Sequence, residues 1–320
     1  MTRLLIASAL LGGMAAAQTP PDPAAWGSDH VGKAVPEYTQ GDECLFCHRS
    51  EIGNAWQRNA HRTTMMQRED AAALLELLAG DPRTAALARQ VTHTLGYRKH
   101  VRFLKQDGYG KYDILNVRMD LTPERKVSAV VNADAAKWEG SGKFAGRCAG
   151  CHATAVDPAT KAASGIGHDC YVCHGVVDLE HTSDTSKIFL SKKQRSDAKA
   201  ITATCAACHL RDFAKSRSTG LPYANNFVPG DNLFRDYQVD WSKAEDATLN
   251  PGDRHVYRNV KEVMLDGSDL TCLGCHSLHK SDTLKHRRVL TNPGCQDCHN
   301  ATGPKSAVKQ YEVHSAVCEY

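Results

Sequence analysis

The sequence predicts a mainly α-helical chain with much irregular loop and one small β-hairpin insert, its interior filled by something other than its own side chains. Three observations predict this. Six copies of one five-residue cysteine motif are scattered along 320 residues. The segments between most of them lack long apolar periodic runs. The one long motif-free stretch, between His61 and Cys148, carries the helix and strand signals of a conventional fold.

The motif is Cys-x-x-Cys-His. It occurs at Cys44/Cys47/His48, Cys148/Cys151/His152, Cys170/Cys173/His174, Cys205/Cys208/His209, Cys272/Cys275/His276 and Cys295/Cys298/His299. Two thiols at this spacing form thioethers with the two vinyl groups of a haem while the adjacent His reaches the iron, so the pattern signals c-type haem attachment. Cys-x-x-Cys alone also serves zinc sites and redox dithiols, but neither requires the following His found at every copy here. The pattern takes up all of the 13 cysteines except Cys318, which leaves none for a disulfide framework. Six covalently attached haem c groups are therefore expected. At roughly fifty residues per haem the macrocycles become the core, and little regular secondary structure is needed. A folded chain of this length has a radius of gyration near ~19 Å, so six evenly spread haems lie about 20 Å apart. Their edges are closer still, close enough for electrons to hop between them.

Taken in order, the chain begins with Arg3, an apolar run from Leu4 to Ala17 and the small residues Ala15-Ala16-Ala17 before Gln18. Residues 1–17 read as a secretory signal peptide. The run is too short and too rich in Ala and Gly to span a bilayer, no second long apolar run follows, and no Cys offers a lipid anchor after the cleavage point. The expected location is periplasmic or extracellular, where c-type haem is attached. The formal charge of +3 falls to about −4 once Arg3 leaves and six ferric haems bring their propionates, so the apparent basicity predicts neither nucleic-acid nor membrane binding.

Residues 18–40, with Pro20, Pro21, Pro23 and Pro36, read as an extended leader. Residues 41–320 then read as a single domain with a haem-free α+β insert at about 66–140. Within the insert, Glu69 to Leu78 and Thr84 to Val91 predict short helices broken at Gly80-Asp81-Pro82. Tyr97 to Lys105 and Lys111 to Met119 predict strands joined by the Asp107-Gly108 turn. His93 and His100 fall here and are expected to be structural or exposed. Past the paired second and third motifs, the Ala-rich segment at Cys205 predicts a helix, and Arg211 to Asn250 predicts a loop whose aromatics drape over haem faces. The end, His314-Ser-Ala-Val-Cys318-Glu-Tyr320, stops just short of completing a seventh motif. That predicts a chain cut from a longer cytochrome.

Six motif histidines leave ten others for the opposite faces of the irons, while only Met65, Met66, Met119 and Met264 remain after the signal peptide. A His-rich, Met-poor chain predicts mainly bis-His, low-spin, low-potential haems. A six-coordinate iron has no place for substrate, so such haems carry electrons, and no catalytic residue is assigned. Trp56 and His61 are spaced as an aromatic packed over one haem and a ligand offered to another.

These residues resemble a known group, the multihaem c-type cytochromes of the cytochrome c-554-like family, which includes the tetrahaem cytochrome of the hydroxylamine pathway. Pentahaem nitrite reductase and the octahaem oxidoreductases are remoter relatives of that group. The resemblance lies in Tyr38 before Cys44, Trp56 to His61 in a Trp-x-x-Ser-x-His pattern, and Cys-x-x-Cys-His-Gly ending at Gly175 with His181 after it. It extends to Pro229-Gly230-Asp231 and to His276 and His279 in Cys-His-x-x-His. It implies a multihaem cytochrome c fold, with His61, His181 and His279 as distal ligands and His168, His255 and His314 as further candidates. Asn59 replaces the family Ser, and Met264-Leu265 stand where relatives carry a ligand His before the fifth motif. Because no Cys-x-x-Cys-Lys occurs, the open catalytic haem of the nitrite reductase is not signalled.

The sequence thus predicts a hexahaem electron relay between redox partner proteins, either other cytochromes or a quinol-oxidising membrane complex. Two alternatives are a reductase or oxidoreductase of a small nitrogen or sulfur compound at one five-coordinate haem, and a homo-oligomeric subunit of an extracellular cytochrome filament.

Overall fold

The computed structural model describes residues 36–280, apart from 97–99, 123–125, 132–142, 158, 192–196, 212–213 and 250. The sixth predicted motif, Cys295, Cys298 and His299, lies outside the described residues, as do His30, His286, His314, Cys318, the signal peptide and most of the leader. The first motif sits on helix α1 (Gly41–His48), at the start of the described chain.

The motif-free stretch that follows is larger than a hairpin. Strands β1 (Met65–Gln67), β2 (His93–Leu95), β3 (His100–Gln106), β4 (Tyr112–Leu121) and β5 (Val127–Val131) form one antiparallel sheet in sequence order. The predicted hairpin is its centre, β3 on β4 with Gln106 opposite Tyr112 around the Asp107-Gly108 turn. The correction from hairpin to five-stranded sheet comes from the short flanking strands. Each is only three to five residues long and borrows its stability from the pair beside it, so none shows enough alternation to be read alone.

Both faces of the sheet are buried, and parity along β4 decides which residue goes where. Leu115, Val117, Met119 and Leu121 join Val101 and Phe103 under helix α2 (Ala72–Gly80), which presents Leu74, Leu75 and Leu78 at helical spacing. Helix α3 (Ala85–Ala88) follows and adds Ala88 to the same cluster. On the other face Tyr112 and Ile114 join Met65, Leu95 and Leu104, and here the cover comes from outside the insert. Phe144, Ala149, Ala153 and Ala163, which flank the second motif, pack against them. The sheet is therefore the wall on which the second motif is mounted.

The other described motif segments are also short helices. They are α4 (Ala149–His152), α5 (Cys170–His174), α6 (Ala198–His209) and, later, α8 (Cys272–Cys275). Between α4 and α5, strands β6 (Ala153–Val156) and β7 (Ala163–Ile166) form a two-stranded ladder. The predicted Ala-rich helix is α6, longer than its motif because Asp197 caps it by accepting from Ala200 N. The region expected as loop from 211 to 250 does contain one small ladder, β8 (Ala214–Ser216) on β9 (Tyr237–Val239). A further helix, α7 (Pro251–Met264), packs Tyr257, Val260, Val263 and Met264 against Ala203, Ala206, Phe234 and Tyr237. Met264 is a core residue, only 4% exposed.

Candidate cofactor site

Each described motif histidine ends or follows a short helix, so the ring projects from a fixed backbone. What it faces comes from elsewhere in the chain. The His48 ring lies 6.1 Å, centroid to centroid, from His181. His174 lies 6.0 Å from His279. His209 lies 6.2 Å from His61, and His61 lies 5.8 Å from His168 on its other side. Thus His61, His181 and His279 each stand opposite a motif histidine.

The tautomers agree with a ligand role. His174 Nδ1 lies 2.8 Å from the Phe189 carbonyl and His181 Nδ1 lies 2.7 Å from the Asp178 carbonyl. His61 Nδ1 lies 3.3 Å from Asn59 Oδ1. An imidazole that donates from Nδ1 keeps its Nε2 lone pair for a metal, and such partners fix the ring of most metal-bound histidines. His168 and His255 differ. His168 Nε2 lies 2.9 Å from the Cys151 carbonyl, and His255 Nε2 accepts from Asn259 Nδ2 at 2.9 Å. Both have that nitrogen engaged already.

Burial keeps the inner rings neutral, which is the protonation state that coordinates. It lowers the pKa of His61 and His152, and pushes His209 down to about 4 and His168 to about 3, with the neighbouring imidazoles adding to the effect. The Nδ1 atom of the half-buried His152 is itself sealed from water and lacks a hydrogen bond among the described residues, a cost that a protein site has to justify.

The thiols show how the sites meet. Cys44 of the first motif lies within hydrogen-bond reach of Cys170 of the third, Cys151 of the second of Cys208 of the fourth, and Cys205 of the fourth of Cys272 of the fifth. Cys173 of the third motif also lies near enough to Cys205 and Cys208 of the fourth to help raise both thiols. Around these contacts the packing is fitted closely. Gly150 in the second motif lies flat under the Tyr223 ring, where a Cβ would come within 2.0 Å of ring carbon, and the Tyr223 hydroxyl donates to the Ala145 carbonyl. That is one aromatic of the predicted draping segment in contact with a motif. Tyr38, from the end of the leader, donates its hydroxyl to the Asp169 carboxylate beside the third motif.

Among the motif thiols Cys47 is exposed, whereas Cys44, Cys148, Cys151, Cys170, Cys173, Cys205, Cys208 and Cys272 are all partly buried. The reason is the place of α1, which carries no buried residue and reaches the third motif through Cys44, so the second thiol of the pair is left toward water. Cys295, Cys298 and His299 fall outside the described residues, so attachment there rests on the motif in the sequence.

The donor set fits haem c. Two imidazoles on one metal ion, each at a bond length of about 2 Å, place their ring centroids roughly 6 Å apart, the separation of the three pairs above. When bound, haem supplies a one-electron carrier. The chain's own groups orient the imidazoles, attach the macrocycle edges at the thiols and exclude water. Among the described residues no group of three or more His, Cys, Asp and Glu is arranged to hold a bare metal ion.

Two structural signals were absent from the sequence pattern. The carbonyls of Asp178 and Phe189 anchor ligand rings through the backbone, which leaves no residue-type signature. Asn59, by contrast, was visible as a departure from the family Ser, and it proves fully buried. His93 and His100 are placed in the sheet as expected. His93 is buried against Tyr112, and the exposed His100 pairs with Asp120 at 2.7 Å.

Two solved structures are similar to this chain. One is the outer cell wall cytochrome OcwA, at a TM-score of 0.49 and 19% identity over 86% of this chain and 65% of that one. The other is an undecaheme cytochrome from the S-layer of Carboxydothermus ferrireducens, at a TM-score of 0.44 and 17% identity over 85% of this chain and 44% of that one. This chain spans less than two thirds of the length of either. No protein-family model matches it, and no curated protein does. Among the described residues no helix is long and apolar enough to cross a membrane.

Proposed function

We propose that this chain is an exported hexahaem c-type cytochrome, of the cytochrome c-554-like kind, that relays electrons through mainly bis-His haems. The observation that carries the reading is the set of three motif histidines, His48, His174 and His209, each facing a non-motif histidine at 6.0–6.2 Å. On this reading His181, His279 and His61 are the distal ligands of the first, third and fourth haems. A filled sixth position leaves no room for substrate, so the irons exchange electrons only.

The thiol contacts support an order for the relay. Each sulfur is bonded directly to its macrocycle, so two sulfurs in contact put two haem edges within a few bonds of each other. The first site then joins the third, while the fourth joins both the second and the fifth at helix α6. Export to the periplasm or cell surface, a haem-free insert at about 66–140, a sixth haem at Cys295, Cys298 and His299, and docking to other redox proteins or to further copies of the chain belong to the same proposal.

The test is low-temperature EPR with optical spectra on holoprotein matured from its signal peptide. Six haems per chain, all low-spin when ferric, are expected. About one haem in six appearing high-spin and shifting on addition of nitrite, hydroxylamine or sulfite would replace the carrier reading with the open-site enzyme.

A further inference from the structure

Asn59 has no accessible surface and a side chain whose hydrogen-bonding capacity is fully used. Its Nδ2 donates to the Leu278 carbonyl at 2.7 Å and the Lys280 carbonyl at 2.6 Å. Its Oδ1 accepts from the His61 backbone N–H at 2.8 Å and faces His61 Nδ1 at 3.3 Å. With two carbonyls on one side and an N–H on the other, the amide has only one orientation that satisfies every partner. The residues it joins are far apart in the chain. One end fixes the ring that stands opposite His209, and the other clamps the turn carrying His276 and His279, of which His279 stands opposite His174.

We infer that Asn59 is a shared positioning residue, one amide that sets the ring orientation of His61 and holds the His276–His279 turn in place, so that the coordination of more than one haem depends on it. The inference rests on the haem reading above and deepens it. A serine at this position has a single hydroxyl proton and a shorter reach, so it cannot donate to both carbonyls while accepting from His61. The replacement of Ser by Asn therefore adds the link to the 276–280 turn. The amide oxygen facing Nδ1 also raises the basicity of the imidazole, which favours ferric over ferrous iron at that site.

The experiment compares matured holoprotein carrying Asn59→Leu, Asn59→Ser or Asn59→Asp by EPR and by spectroelectrochemical redox titration. Asn59→Leu removes both ends of the link, and at least two low-spin signals and two midpoint potentials are expected to move together. Asn59→Ser keeps an acceptor for His61 but loses the two donors, so the signal from the His279 site shifts more than that from the His61 site. Asn59→Asp keeps a stronger acceptor at His61 and lowers that haem's potential while releasing the turn. If Asn59→Leu does not accumulate, the other two decide. Six haems with every signal and potential as in the parent protein in the Ser and Asp variants would overturn the inference and leave the relay reading intact. A parent protein without bound haem would instead overturn the relay reading itself.

Discussion

In the sheet-bearing region, Val101, Phe103, Met119 and Leu78 are all sealed from water and pack into one apolar cluster. In the motif-bearing region imidazoles and thiols also converge on one another, beside an apolar cluster of Ala203, Ala206, Phe234, Tyr237 and Tyr257. The first region is held by apolar side chains throughout, with Phe144, Ala149, Ala153 and Ala163 beside the second motif closing one face. The second brings together buried groups that cost free energy until something binds them. On the proposed haem reading, the difference teaches that one chain carries two kinds of stability, one from apolar side chains and one from the bound cofactor.

The largest expected effect separates the two directly. Produced in a host that does not attach haem, the chain is expected to keep slow amide exchange in β2 to β4 and α2 while the motif helices α1, α5 and α6 exchange as unfolded segments. Equal protection in both regions, read by hydrogen-exchange mass spectrometry, would erase the distinction. Next comes Phe103→Ala. The side chain is fully buried between sheet and helix, and truncation is expected to cost about 3–5 kcal/mol. The loss should appear in the denaturation midpoint of the sheet, with the six-haem spectrum unaltered.

A smaller effect tests the seam. Gly110 has φ +64°, and a Cβ there would meet the Ala163 carbonyl oxygen at 2.3 Å, where the Gly110 carbonyl also accepts from Ala163 N. Gly110→Ala is expected to cost about 2 kcal/mol and to loosen the segment between the second and third motifs, visible as faster exchange in β6 and β7. The smallest effect is on pH dependence. Burial lowers the pKa of His93 despite the nearby Glu69. The unfolded chain therefore binds a proton at about pH 6.5 that the folded sheet refuses. Stability is fully present above that pH and declines as pH falls below it. In His93→Phe that part of the slope should vanish from acid-unfolding curves.

The sequence and the structure agree where the signal is local. The Asp107-Gly108 turn, the apolar spacing of Leu74, Leu75 and Leu78, and the Ala-rich run before Cys205 each specify their own element. Agreement ends where an element depends on a distant partner. Met65-Met66-Gln67 has no alternation to read and is a strand only because β2 lies beside it. Helix α7 carries readable signals, with Pro251 at its start, Asp253 in its first turn and Tyr257, Val260 and Met264 on one face, yet the sequence reading ends its loop at Asn250 and assigns no element beyond it. Cys47 shows the same limit, because its motif marks an attachment thiol and says nothing of which side of α1 faces water. The ligand partners are the extreme case. Spacing marks each motif histidine, whereas the facing histidine is chosen by the fold, so His181 is named as a ligand through the resemblance and His61 through that and its spacing from Trp56.

The thiol contacts carry a consequence for how the molecule is made. Cys44 with Cys170, Cys151 with Cys208 and Cys205 with Cys272 are pairs from different motifs, and a chain exported as proposed would reach an oxidising compartment. There, a polypeptide that collapsed before maturation would hold these sulfurs side by side. Cys44, which its contact with Cys170 lowers to about 7, is well placed to attack. Meanwhile burial pushes Cys148 and Cys173 up to about 11, out of the reactive thiolate form. Attachment must therefore run ahead of collapse, motif by motif, or the chain locks itself into crossed disulfides. Peptide mapping of exported, haem-starved protein should recover those three crossed pairs in preference to bridges within a motif.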